Sequence, residues 1–247
     1  MTPEITEKFN ELKMMYGPAA VTRLEGITAG NEKKSALQVG CKVVLPNLST
    51  TPWLEPEQFP EFKNAIAALE HASTMIKAEI HAAMAEKSSE LKPYSHYIGH
   101  IENWTALYLY KNGEKNIITK TILPETYRIL EQELEALLCP LSEMHVSILA
   151  PGVKIPAHND MCNFAVNLHL AVDIPELCNI TVANETRTWQ EGKCLMFDYS
   201  YLHHAQNNSD KYRICLLMDL WHPGVTDVER EGLVFLVRSL QEIMADE

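Results

Sequence analysis

Four side chains in the C-terminal half have the types and spacing to hold a metal ion and a small acid: His158, Asp160, His203 and Arg213. On an extended backbone residues i and i+2 share a face, so the His158 imidazole and the Asp160 carboxylate converge on one point. A second imidazole arrives at His203. Two histidines and one carboxylate on three corners of a site, with other positions open, form the arrangement that holds non-haem Fe(II) for oxygen chemistry. The open positions suit O2 and a 2-oxo acid, which chelates a metal through its keto and C1 carboxylate oxygens. The far carboxylate of such an acid needs a cation, and the planar guanidinium binds one bidentately. Arg213 begins the strand after the His203 turn and can supply that cation. The competing readings are a simple His–Asp hydrogen bond in a loop and a surface salt bridge for Arg213.

Those residues must be positioned by β-structure. Strand signals fall at His145–Leu149, Phe164–Val172, Asn179–Val182, Cys194–Phe197 and Tyr212–Leu220, with Gly, Pro or Asn turns between them. On the second of these, Asn163, Ala165, Asn167, His169 and Ala171 share one face, and Phe164, Val166, Leu168, Leu170 and Val172 the other. Asn and His are not buried without partners, so the first face looks into a wet pocket. Residues 94–111, rich in aromatic and β-forming side chains, read as a strand ending at an Asn112-Gly113 turn, with Trp104 as pocket wall or core.

Helices flank this region. Thr2-Pro3 reads as an N-cap and first helical position, and Gly17-Pro18 as the stop. Residues 18–56, with Gly26, Gly30 and Gly40, read as a loop-rich connector holding a short strand at Cys41–Leu45. Apolar residues from Phe62 to Met84 step by threes and fours, which predicts one long helix over 61–87, and a further helix is predicted from Pro124 to Leu138. Thr226 with Glu229 has the form of a capping box that opens a C-terminal helix, which covers the sheet or packs on a second copy of the chain as a homodimer. The expected fold class is mainly β with flanking helices: a double-stranded β-helix of jelly-roll or cupin-like type. It forms one domain, with a helical region 1–93, a β core 94–225 and a helix over 226–247.

With 247 residues, 46% hydrophobic and 22% charged, the chain has the length and composition for a buried core. The net charge is −12 and no Lys/Arg-rich block occurs, which argues against nucleic acid and anionic membranes as partners. Six scattered cysteines without a C-x-x-C pair read as reduced thiols, and the start has no signal-peptide pattern. A cytoplasmic location is therefore expected.

Several motifs carry a resemblance: Ser147-Ile-Leu-Ala-Pro-Gly152; His158; Asn167-Leu-His-Leu-Ala171; the run Asn184-Glu-Thr-Arg-Thr-Trp-Gln-Glu-Gly-Lys193; Phe197-Asp-Tyr-Ser200 with His203; Arg213; and Asp219-Leu-Trp-His-Pro223. In these the chain resembles the catalytic domain of the aspartyl/asparaginyl β-hydroxylase family, densely from about 145 to 231 and more faintly from Pro52 to Tyr110. The resemblance implies a double-stranded β-helix using Fe(II) and 2-oxoglutarate. His158 and His203 match its iron-binding histidines, Arg213 and Ser147 the residues on the 2-oxoglutarate tail, His169 a residue near its metal-binding end, and Trp104 a tryptophan of the same pocket. Alternation along a strand turns His204 away, and His222 is structural.

Two departures shape the functional expectation. The best-known members have a glycine where this chain has Asp160, so a full His158/Asp160/His203 metal and catalytic triad is restored. They also carry arginines where Ala165 and Asn167 stand, and neutral residues cannot pair with a substrate carboxylate in the same way. Asn163, Ala165 and Asn167 are the expected substrate contacts. The reaction expected is hydrogen abstraction from an unactivated C–H bond of a small molecule or amino acid, with O2, ending in hydroxylation, desaturation or cyclisation, in biosynthesis. The alternatives are β-hydroxylation of Asp/Asn residues in a peptide or protein, a cupin-type metalloenzyme that does not use 2-oxoglutarate, and a non-catalytic barrel.

Overall fold

The computed structural model describes residues 2–29, 35–48, 51–96, 99–111, 113–141 and 143–245. Gly30 of the connector, residues 97 and 98 of the predicted 94–111 strand, and Asn112 of its turn lie outside them. The helices are α1 (Pro3–Tyr16), α2 (Thr22–Thr28), α3 (Pro60–His71), α4 (Ser73–Glu86), α5 (Ile117–Ile122), α6 (Pro124–Ile129) and α7 (Asp227–Ala245). The strands are β1 (Trp53–Leu54), β2 (Lys92–His96), β3 (Gly99–Lys111), β4 (Glu114–Lys115), β5 (Glu143–Leu149), β6 (Lys154–His158), β7 (Ala165–Asp173), β8 (Cys178–Val182), β9 (Glu185–Arg187), β10 (Cys194–Phe197), β11 (His203–Asn207) and β12 (Arg213–Trp221).

Two antiparallel sheets face each other in a jelly roll. The larger runs β1-β10-β7-β12-β5-β3-β2, with β4 on β3, and the smaller β6-β11-β8-β9. Period-two alternation divides the larger sheet into two unlike faces. Its outer face carries Leu107, Val146, Leu168, Leu170, Leu216 and Met218, which pack with Phe62, Ile66, Leu69, Ile76 and Ile80 of α3 and α4 into one apolar cluster. Its inner face carries the polar set Trp104, Ser147, Asn167, His169, Arg213 and Asp219 and lines a cavity of about 710 Å³.

The helix predicted over 61–87 is two helices. Ala72, at φ −88° and ψ 1°, separates α3 from α4, yet both bury their stripes on the same sheet, so the apolar period runs unbroken across the bend. The 124–138 helix is shorter than predicted: α6 ends at Ile129, a π-helical turn follows over Leu130–Leu134, and the Leu137 carbonyl then accepts from Trp221 N–H at the edge of β12. Cys41–Leu45 makes no strand, only a single parallel bridge between Val43 and Cys162.

Other elements follow the sequence closely. Thr2 Oγ1 accepts from Ile5 N–H, and Gly17, at φ +88°, ends α1 in a backbone region glycine enters without penalty. Thr226 and Glu229 exchange hydrogen bonds at the start of α7, and the Glu229 carboxylate also pairs with Arg23. A Cβ on Gly232 would come within 2.3 Å of Leu24 Cδ1, so a larger residue there would force the Leu24 side chain between α7 and α2 to shift. Val237, Leu240 and Gln241 of α7 reach the cavity. Among the described residues no helix is long and apolar enough to cross a membrane.

Candidate active site

The cavity has two chemically distinct poles. At one, ligand atoms of His158, Asp160 and His203 all lie within 4.8 Å of one another, and His203 Nε2 is 3.5 Å from Asp160 Oδ2. His158 ends β6 and His203 begins β11, and the two are register partners across the smaller sheet, with ring centroids 4.2 Å apart. Each Nδ1 sits 2.8 Å from a carbonyl two residues back, Pro156 O for His158 and Tyr201 O for His203. A carbonyl only accepts, so each Nδ1 carries the proton and each Nε2 the lone pair. That is the tautomer a metal-binding imidazole needs, fixed by a backbone contact as in metal sites generally. The donor set therefore fits a divalent iron, with two imidazole nitrogens and one carboxylate oxygen.

Because β6 stops at His158, extended alternation does not by itself bring Asp160 round. The turn is held from behind: Asp160 N–H donates to Tyr199 O at 2.9 Å, and Asn159 Nδ2 donates to Leu37 O and Ser200 O at 2.7 and 2.8 Å. Asn159 Oδ1 accepts from Gly40 N–H. Leu202 N–H also donates to Leu37 O, so the loop around residues 37–40 ties the His158 turn to the segment that delivers His203. Sequence reasoning passed over Asn159, although its place between two ligands was the available signal.

The second pole is built on adjacent strands of the larger sheet. Arg213 and Trp104 are both register partners of Leu149, and Ser147 lies two residues back on β5. Arg213 is 2% exposed. Its Nη1 donates to Ser147 Oγ at 3.4 Å, the same oxygen takes Trp104 Nε1–H at 2.9 Å, and the guanidinium lies 5.2 Å from the Trp189 ring. Among the described residues no carboxylate oxygen lies within 4.0 Å of it. A buried guanidinium without an acidic partner has the chemistry to bind a carboxylate from outside the chain.

Between the poles stands His169. Trp189 Nε1–H donates to its Nδ1 at 3.1 Å, with the rings nearly parallel at 10°. Burial, and then the charge of Arg213, hold the imidazole well below its ordinary pKa, so it is neutral with its proton on Nε2. That N–H is buried and has no hydrogen-bond partner among the described residues, which makes it a donor for a ligand. Trp189 was not singled out in the sequence, although it lies in the Asn184–Lys193 run.

Of the three residues expected to meet substrate, Asn167 lines the cavity, where its Nδ2 donates to Asp219 Oδ1 at 2.5 Å. Asn163 precedes β7 and does not line it: both ends of its amide bond the main chain of Leu45, at 2.8 and 3.0 Å. Ala165 is buried opposite Trp221. His222 turns back on its own chain, its Nδ1 accepting from Gly224 N–H, and burial lowers its pKa to about 4.

A family model described as aspartyl/asparaginyl beta-hydroxylase matches residues 70–223. The chain is 30% identical over 187 residues to the aspartyl/asparaginyl beta-hydroxylases of Mus musculus and Homo sapiens, which is 75% of this chain and 25% and 24% of theirs. It is 29% identical over 198 residues to the human aspartate beta-hydroxylase domain-containing protein 2, covering 78% of this chain and 53% of that one. The chain thus spans between a quarter and about half the length of these relatives. Among solved structures, a Pseudomonas putida prolyl-4-hydroxylase aligns at 13% identity and a TM-score of 0.40, over 64% of this chain and 98% of that one.

Proposed function

Because the chain belongs to the aspartyl/asparaginyl β-hydroxylase family, we propose that it is an Fe(II)- and 2-oxoglutarate-dependent oxygenase acting on a C–H bond of a small molecule or free amino acid. The observation that carries this reading is the pairing of two poles in one cavity, the His158/Asp160/His203 cluster and the buried Arg213. Iron(II) with 2-oxoglutarate and O2 supplies an oxidant able to take hydrogen from an unactivated C–H bond, with loss of CO2 from the 2-oxo acid.

The chain's own residues have positioning roles. His158, Asp160 and His203 would hold the iron. Arg213, seated by Ser147, would pair with the distal carboxylate of 2-oxoglutarate. The His169 Nε2–H, oriented through Trp189, would donate to an oxygen of the same molecule. The apolar part of the wall, including Ile155, Phe164 and Ile180, excludes water.

The charge of the cavity lining argues for a non-acidic substrate. Arg213 and Lys42 are the lysine and arginine residues among the cavity's described lining, and Lys42 is exposed. With Arg213 engaged by 2-oxoglutarate, no second guanidinium remains in that lining to grip an aspartyl carboxylate.

The test is anaerobic titration of the metal-free protein with Fe(II) and then 2-oxoglutarate, following the weak visible charge-transfer band of the chelate. The expected result is a band that forms in the wild type. Arg213→Ala should raise the Kd for 2-oxoglutarate on the order of tenfold to a hundredfold, the range for losing hydrogen bonds to a charged group. Iron binding without a band would move the assignment to a metalloenzyme that does not use 2-oxoglutarate.

A further inference from the structure

Asp219 lines the cavity from β12, and neither metal binding nor co-substrate binding uses it. Each oxygen has one donor: Oδ1 accepts from Asn167 Nδ2 at 2.5 Å, and Oδ2 from Glu143 N–H at 3.1 Å. A carboxylate has about four acceptor positions, so capacity remains on both oxygens. Among the described residues no Lys, Arg or His nitrogen lies within 4.0 Å of it. The residue is half-buried and lines the cavity.

The charges around it point one way. Glu143, the other acid on this wall, ion-pairs with Lys111 at 3.6 Å. A divalent iron with Asp160, and a dianionic 2-oxo diacid with Arg213, cancel together and leave Asp219 as the uncompensated charge. A carboxylate enclosed in this way is costly to ionise, so it holds a proton more readily when alone and gives it up when a cation joins it. The wall beside it is aromatic: Tyr94 stacks on His145 at 4.8 Å and lies against Trp104 at 4.2 Å between centroids. Tyr94, Asp160 and Asp219 line the same cavity. Aromatic faces also favour cations. The net charge of −12 draws cations toward the molecule as a whole.

From this arrangement, and resting on the oxygenase reading above, we infer that Asp219 is the residue that sets substrate specificity, pairing with the protonated amine of a small-molecule substrate beside the metal turn. Asn167 orients the carboxylate, and the Tyr94 ring flanks the ammonium.

The test uses the full chain loaded anaerobically with Fe(II) and 2-oxoglutarate. The probes are the free L-amino acids, each beside its Nα-acetyl derivative, together with lysine acetylated on Nε and the diamine putrescine. Binding is read as a change in the chelate band, and 2-oxoglutarate consumption is followed afterwards in air. At least one amine should perturb the band, and acetylating the responsible nitrogen should raise its Kd about tenfold or more. The two acetylation positions and putrescine tell an α-ammonium from a side-chain or simple amine. Asp219→Asn should raise the same Kd about tenfold or more while the chelate band still forms, and Asp219→Glu should recover part of the loss.

Equal binding of free and acetylated forms, wild-type affinity in Asp219→Asn, or an intact chelate band that no amine perturbs would each overturn the inference and leave the oxygenase reading standing. Failure of the band to form in the wild type would defeat the oxygenase reading itself. Should Asp219→Asn not fold, the acetylation comparison on the wild type still decides.

Discussion

Asp160, the proposed third metal ligand, lies in a turn outside any strand, with one oxygen near His203 Nε2. Removing that carboxylate leaves two imidazoles whose tautomers are still fixed by Pro156 and Tyr201. Asp160→Gly should therefore keep the fold and weaken Fe(II) binding by at least about tenfold, measured by anaerobic titration. Wild-type affinity would give Asp160 another role. A finer case is Trp189, whose indole N–H fixes the His169 tautomer. In Trp189→Phe the ring remains but the proton is free to sit on either nitrogen. The Kd for 2-oxoglutarate should rise about tenfold, with iron affinity unchanged, in the same titration.

At the scale of elements, legibility followed side-chain pattern. Strand 194–197 matched its apolar run, and β7 alternated as the sequence reading has it, because both are packed on the outer apolar face. The strands that carry the proposed metal ligands were not readable. β6, Lys-Ile-Pro-Ala-His, contains a proline, which an edge strand tolerates because one row of its N–H groups makes no ladder bonds. β11, His-His-Ala-Gln-Asn, has no apolar period, since its inward residues His203, Ala205 and Asn207 face ligand atoms and backbone carbonyls. The histidines were legible as chemistry before their strands were legible as structure. The loop behind them was invisible, since its contacts span long separations in the chain, as from Gly40 to Asn159. There a Cβ on residue 40 would lie 2.6 Å from Asn159 Oδ1. Gly40→Ala should push Asn159 off Leu37 and Ser200 and lower Fe(II) affinity several-fold. Asn159→Ala should do the same, and combining the two should add little, as expected for residues acting through one contact. Additive losses would mean that they act separately.

The whole molecule places its polar site between two sheets, and the cost of that enclosure appears in its response to pH. Burial raises Asp219 and Asp198 to about 7, although the hydrogen bonds each accepts pull the other way. Asp198 Oδ1 accepts from Ser200 N–H, while Oδ2 is buried without a partner among the described residues. In the unfolded chain such a carboxyl titrates near its ordinary value of 3.8. Between these limits the native state holds a proton that the unfolded chain has released. Stability from this group is therefore full below about pH 4 and is lost as pH rises toward about 7, at up to about 1.4 kcal/mol per pH unit. The lowered histidines act in the opposite sense: His222 binds its proton less readily folded, at about 4, than unfolded near 6.5, so its contribution grows with pH across that window. Total stability therefore mixes both signs, and a difference between variants separates them. Asp198→Asn removes the titration while keeping an acceptor for Ser200 N–H. The stability of wild type relative to Asp198→Asn, from urea unfolding at pH 5, 6, 7 and 8, should fall steadily to about pH 7 and then level off. A flat difference across the series would mean that Asp198 is already ionised in the native protein, with a cation beside it.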